Sequence, residues 1–169
     1  MIHTLDPVYD ENSKILILGS FPSVKSRENR FYYAHPQNRF WRVIAAILEV
    51  PIPTSINQKK QLLFDHHIAL WDVIRQCDII GSSDASITNV IPNDISTLLR
   101  DTSISKIIVN GSKASQLYRH HCLTTTGIKA ITLPSTSPAN AVYSFERLVD
   151  EWEKEINKES TRINMESSL

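Results

Sequence analysis

Apolar residues fall along this chain in two rhythms. Lys14-Ile-Leu-Ile-Leu-Gly19 is a short unbroken apolar run closed by glycine, and similar runs occur at Ile68-Ala-Leu-Trp71, Lys106-Ile-Ile-Val-Asn-Gly111 and Ile128-Lys-Ala-Ile-Thr-Leu133. Runs of this length without alternation predict strands buried on both faces, as in a parallel sheet. Between them the spacing changes: Phe40, Trp41, Ile44, Ile47 and Leu48 recur at three and four, as do Ala114, Leu117 and Tyr118. That is the period of one helix face. A last helix is predicted from the stripe Val142, Phe145, Leu148, Val149, Trp152 and Ile156, with Ser137-Pro138 as its N-cap and first-turn proline.

Strands alternating with helices imply an α/β fold, a three-layer α/β/α sandwich around a four-stranded, mostly parallel central sheet. A chain of 169 residues suits one domain, expected over residues 1–157, with a polar C-terminal tail over 158–169. Segments 51–57 and 81–93 read as surface connections. In such sheets ligands bind beyond the carboxyl ends of the strands, so the loops after Gly19, Trp71, Gly111 and Leu133 are where function is expected.

Composition narrows the class. Hydrophobic residues make up 41% and charged residues 21%, which excludes a collagen-like or largely disordered chain. No apolar run approaches the roughly 20 residues of a membrane span, and Met1 to Asp10 lacks the basic and apolar regions of a secretory signal, so a soluble protein, cytoplasmic or otherwise intracellular, is expected, without a membrane partner. Cys77 and Cys122 form no CxxC or four-ligand set and read as buried or incidental thiols. His66-His67 and His120-His121 are adjacent pairs whose side chains point apart, which argues against a metal site. No metal and no cofactor are expected. Net charge is zero, but from Lys14 to Arg42 six basic residues face only Glu28, whereas Glu146 to Glu159 holds six acids and three bases. The positive pole lies in the N-terminal third, where an anionic partner is expected.

The loop after the first strand carries Gly19-Ser-Phe-Pro-Ser23 and then Phe31-Tyr-Tyr-Ala-His-Pro-Gln-Asn-Arg-Phe-Trp41. Three consecutive aromatics are either a stacking platform for a nucleobase, worth about 1–3 kcal/mol per base, or the packing that holds the loop down. Asn38 is either a polar group for chemistry or a cap for the helix through Phe40 and Trp41. Asp72 either accepts a hydrogen bond from a ligand or caps the next turn, and Asn110 has the same two readings. Ser112 and Lys113 stand at a helix start, where phosphate can bind or Ser112 can cap.

Three strings, Ile17-Leu-Gly-Ser-Phe-Pro-Ser23, Tyr32-Tyr-Ala-His-Pro-Gln-Asn-Arg-Phe-Trp41 and Leu133-Pro-Ser-Thr-Ser-Pro-Ala-Asn140, together resemble the motifs of the hypoxanthine-DNA glycosylases, family 6 of the uracil-DNA glycosylase superfamily. The resemblance also touches Ala69–Val73, Gly81–Ile87 and Ile108–Lys113 and spans about residues 13 to 150. It implies a DNA-repair glycosylase that acts without a cofactor on double- or single-stranded DNA holding a deaminated base; no lysine is clearly placed as a nucleophile, so a monofunctional hydrolase is expected, and monomeric action suits a scanning enzyme. Hypoxanthine is the implied base, with uracil, xanthine or a mismatched base as alternatives.

Phe21 stands where the wider superfamily usually has the aspartate or asparagine that positions the attacking water, and the resemblance moves that role to Asn38. It also implies a base pocket of Ser20, Phe21, Tyr33, His35 and Asp72. DNA contacts are expected from Ser23, Lys25, Ser112, Ser135, Ser137 and Pro138, the last three in the loop that presses into the minor groove. Ser135 replaces the histidine or asparagine common in the superfamily. Two other readings stay open: a small-molecule hydrolase using Ser20 with a histidine base, which lacks a GxSxG elbow, and a non-catalytic nucleotide-binding module, which lacks GxGxxG and a P-loop.

Overall fold

Residues 1–157 are described by a computed structural model, and the expected polar tail lies outside the described residues. Unbroken apolar runs have become strands, and the stripes between them have become helices that cover the sheet. In chain order the elements are β1 (Ile15–Gly19), α1 (Val24–Asn29), α2 (Phe40–Leu48), α3 (Ile56–Asp65), β2 (Ile68–Asp72), β3 (Ile74–Asp78), a 3₁₀ turn (Asp84–Ser86), β4 (Thr88–Pro92), α4 (Ile95–Arg100), β5 (Lys106–Asn110), α5 (Ser112–His121), α6 (Leu123–Thr126), β6 (Ile131–Leu133) and α7 (Phe145–Glu153).

Four strands form one parallel sheet in the order β2-β1-β5-β6. Strand period two sends Ile15 and Ile17 into one core with Phe40, Trp41 and Ile44 of α2, Leu63 of α3, and Leu148 and Trp152 of α7. It sends Leu16 and Leu18 into the opposite core with Ile95 and Leu98 of α4 and Ala114, Leu117 and Tyr118 of α5. The expected three layers and four-stranded parallel sheet are therefore present. Both cysteines are buried and free. No helix among the described residues is long and apolar enough to cross a membrane.

Three expectations need correction. The last helix begins at Phe145, not at Ser137-Pro138: Ser144 is its N-cap, its side chain accepting from the Arg147 N–H at 3.2 Å. Ser137 instead closes a turn, its carbonyl accepting from the Asn140 N–H, and Val142 is 78% exposed rather than part of a buried stripe. Segment 81–93 is more than a surface connection, because β4 pairs antiparallel with β3 in a second, two-stranded sheet. Two register irregularities and a positive φ at Asn89 break the alternation that would have marked those strands. Segment 51–57 is a connection only to Ser55, the N-cap of α3.

The register carries the functional consequence. Gly19 lies opposite Asp72, Leu18 opposite Val109, and Asn110 opposite Leu133. All four parallel strands thus end on one edge and deliver their following loops to one place.

Candidate functional site

Over that edge lies a cleft of about 310 Å³, lined by Gly19–Ser23, Ser26, Tyr32, Tyr33, His35, Asn38, Asp72, Ser82, Asp84, Asn110 and Ser135–Ala139. Its size falls at the small end of ligand sites, which run roughly 300–1,000 Å³. Of the residues expected in the base pocket, Ser20, Phe21, Tyr33, His35 and Asp72 all line it, as do Asn38, Ser23, Ser135, Ser137 and Pro138. Lys25 and Ser112 do not. Lys25 is exposed and paired with Glu28 at 3.4 Å, and Ser112 is the exposed first residue of α5, whose N-cap is Gly111 with no side-chain bond, so Ser112 does not cap it.

Asn38 sits just before α2. Its Oδ1 accepts the Phe40 N–H at 2.9 Å and the Thr136 hydroxyl at 2.9 Å, while Nδ2 has no partner among the described residues. The N-cap position of α2 is Arg39, so Asn38 supports the helix start from one residue earlier, its oxygen satisfying the Phe40 N–H while its NH₂ stays available to the cleft. Asn110 bonds the same threonine, its Nδ2 donating to Thr136 Oγ1 at 3.0 Å and its Oδ1 accepting the Thr136 N–H at 3.1 Å.

Asp72, at the end of β2, is buried and held by a residue that no local pattern marks. His3 Nδ1 accepts the Leu5 N–H at 3.2 Å, which leaves the proton on Nε2 to be donated to Asp72 Oδ2 at 2.8 Å. His3 also meets Phe21 edge-on at 5.8 Å, and the Arg27 guanidinium lies over the Phe21 ring at 5.6 Å from the centroid. Phe21 thus forms a wall of the cleft. No turn is capped by the Asp72 side chain.

Of the aromatic run, Phe31 and Tyr32 are core residues, which favours the packing reading for them; Phe31 stacks on Trp41 and the Tyr32 hydroxyl donates to the Asp6 carbonyl. Tyr33 differs. Its φ is +54°, its ring stacks on Phe40 at 4.1 Å, and its hydroxyl is buried without an aligned hydrogen-bond partner, although the Asn110 amide lies beside it. Burial first, and then the Asp72 charge, push its phenol well above the ordinary range, so the proton stays on the oxygen.

Ser20 donates to Asp84 Oδ1 at 3.0 Å and hydrogen-bonds no histidine among the described residues, which removes the support for a serine hydrolase. The carboxyl of Asp84 is shifted upward by desolvation in the cleft, against the opposing pull of Ser20 and Lys113. His35 shapes its loop, Nδ1 accepting the Gln37 N–H at 3.1 Å; Ser23 caps α1 by accepting the Ser26 N–H at 3.1 Å. Ser135 and Ser137 accept the N–H groups of Ser137 and Ala139 at 3.2 Å each, so both hydroxyls fix the late loop's turns.

Arg39 holds that loop from the other side. Its guanidinium donates to the carbonyls of Ser137 at 2.9 Å, Asn140 at 3.0 Å and Tyr143, with no carboxylate among its partners, and its own N–H bonds the Thr136 carbonyl at 3.1 Å. Hydrogen bonds from a charged donor contribute about 1.5–3 kcal/mol each, and the partial desolvation of this half-buried cation limits the net gain. Arg39→Gln is expected to lower stability by about 2 kcal/mol, read as a lower urea midpoint at unchanged m-value. An unshifted midpoint would show that the loop holds itself.

His3, Asp84, Thr136 and Arg39 went unassigned in the sequence. Arg39, Asp84 and Thr136 lay inside strings already singled out, but their spacing does not distinguish them from ordinary loop residues, and His3 lay outside every string.

Comparison with known proteins bears on what this cleft is for. Residues 7–160 match the family model described as the uracil DNA glycosylase superfamily. Similar curated proteins include two described as hypoxanthine DNA glycosylase. The one from Methanosarcina acetivorans is 36% identical over 148 residues, covering 86% of this chain and 92% of the relative; the one from Methanosarcina barkeri is 36% identical over 138 residues, covering 79% and 85%. A solution NMR structure of a candidate uracil DNA glycosylase from Methanosarcina acetivorans superposes with a TM-score of 0.78 at 35% identity, covering 92% of this chain and 96% of that one.

Proposed function

Because the chain belongs to the uracil-DNA glycosylase superfamily, we propose that it hydrolyses the N-glycosidic bond of a deaminated base extruded from DNA, hypoxanthine in the first place. The observation that carries this reading is an amide, a buried carboxylate and an unpartnered buried phenol lining one nucleobase-sized cleft.

Deamination turns adenine's edge, a ring nitrogen acceptor beside an amino donor, into the reverse, an N–H donor beside a carbonyl acceptor. Asp72 supplies an acceptor and Tyr33 a proton held as donor, and both flank Gly19. That pair suits the N1–H and O6 of hypoxanthine and opposes the edge of adenine. Extrusion costs a few kcal/mol, least for a poorly paired base, so an inosine opposite thymine is favoured twice.

In the reaction the C1′–N9 bond breaks with its electron pair leaving on the purine, and charge builds on the sugar. Asn38 holds a water at C1′; the water oxygen bonds the carbon, and one of its protons ends on the departing base, giving free hypoxanthine and an abasic sugar. Orientation and charge stabilisation are the protein's whole contribution, for which a neutral amide suffices. No lysine lines the cleft among the described residues, so the strand is left intact. Monomeric action on the basic N-terminal third completes the reading.

Duplexes carrying a single inosine, uracil or xanthine, and an unmodified control, test this. Alkali-labile sites are expected at inosine, with no strand break before alkali. Release of uracil alone would move the substrate within the family, and abasic sites in none of the duplexes would end the proposal.

A further inference from the structure

The Thr136 side chain lies fully inside the protein, 0% exposed, between two asparagines that both reach the cleft. Its surroundings decide every hydrogen's direction. A backbone N–H can only donate, so the Thr136 N–H fixes Oδ1 of Asn110, and Asn110 must then present Nδ2 to Thr136 Oγ1. With its oxygen occupied by that donor, the Thr136 hydroxyl sends its proton the other way, to Asn38 Oδ1. At the far end the Phe40 N–H, again a pure donor, requires the same orientation of Asn38. Two backbone donors therefore clamp a three-side-chain relay whose polarity runs Asn110 to Thr136 to Asn38.

The relay uses both lone pairs of the Asn38 oxygen. We infer that Thr136 is the positioning residue for Asn38: it fixes the amide so that the cleft receives its NH₂, and Asn38 acts on the water as a hydrogen-bond donor, not as an acceptor. This rests on the assignment of Asn38 to the reaction proposed above. A flipped amide would set its NH₂ against the Phe40 N–H, donor on donor, and the threonine's hydrogen is the second anchor, without which the amide swings about a single bond.

Thr136→Val keeps the shape and removes the hydroxyl. On an inosine duplex its kcat is expected to fall about 10- to 100-fold, the scale of a small misplacement of a catalytic group, while KM stays nearly unchanged. Thr136→Ser, which keeps the hydroxyl, is expected to restore most of the turnover. In an Asn38→Ala background Thr136→Val should change kcat no further, because the residue acts only through that amide. Should Thr136→Val fail to fold, Asn110→Asp takes its place: a carboxylate cannot donate to Thr136, whose proton then turns away from Asn38, and kcat should fall likewise. Wild-type kcat in Thr136→Val, or in Asn110→Asp, would overturn the inference, as would an undiminished further loss in the Asn38→Ala background. If Asn38→Ala itself turns over normally, the failure belongs to the assignment of Asn38 and not to the relay.

Discussion

Replacing Asn38 by alanine is expected to lower kcat on an inosine duplex by about 100- to 1,000-fold, the loss seen when one preorganised donor is removed from a transition state. KM should change little, since in the proposed reaction the amide acts at the reacting carbon and the Asp72 and Tyr33 contacts to the base stay in place. The same substitution removes the acceptor of the Phe40 N–H at the start of α2, which costs about 1 kcal/mol of stability. Turnover must therefore be measured well below the melting transition, where such a loss leaves the protein folded. Single-turnover kinetics separate the two effects: a fall in the chemical step with saturation intact supports the assignment. A variant that turns over at the wild-type rate would reduce Asn38 to a helix-start residue and return the search for the water-holding group to the cleft's other donors.

How much of this was legible beforehand follows the range of each interaction. Ile15–Gly19 and Lys106–Asn110 read as buried strands because burial on both faces leaves an unbroken apolar run, and with four such runs the carboxyl edge and its loops followed. Strands β3 and β4 were illegible for the opposite reason: Arg75, Gln76 and Asp78 are exposed, and bulges erase the period. The last helix was misplaced because Ser137-Pro138 mimics a helix start, while the carbonyl that would begin the ladder is taken by Arg39 and Asn140. At the site, Asn38 and Tyr33 stood out through their motif. His3 did not, because its partner Asp72 is 69 positions away, and a lone histidine near a terminus carries no local signal. Thr136 and Arg39 likewise acquire meaning only when the late loop is brought against α2.

Gly19→Ala should damage both stability and turnover. Gly19 lies within strand β1, where alanine's backbone preferences would ordinarily favour the substitution. The obstacle is the space: a Cβ there would stand 2.5 Å from Asp72 Oδ1 and 3.3 Å from the Tyr33 hydroxyl. Neither neighbour can retreat cheaply. Asp72 is pinned through its other oxygen by His3, both side chains at most 5% exposed, and Tyr33 is wedged against Phe40. Overpacking of a filled interior costs about 1–3 kcal/mol, and disturbing the His3 bond to a buried carboxylate adds to it. A melting temperature lower by roughly 5–10 °C is expected, at about 2–4 °C per kcal/mol for a domain of this size. Turnover on inosine should fall about 100-fold even where the protein is folded, because the pair proposed to read the base is displaced by a fraction of its own hydrogen-bond length. The cause can be isolated by a double-mutant cycle. In an Asp72→Ala background the added methyl keeps only its 3.3 Å approach to the Tyr33 hydroxyl, so the stability cost of Gly19→Ala should fall by more than about 0.5 kcal/mol, beyond what independent sites would show. An equal cost in both backgrounds would place the strain in the strand itself and remove Gly19 from the account of how the carboxylate is held.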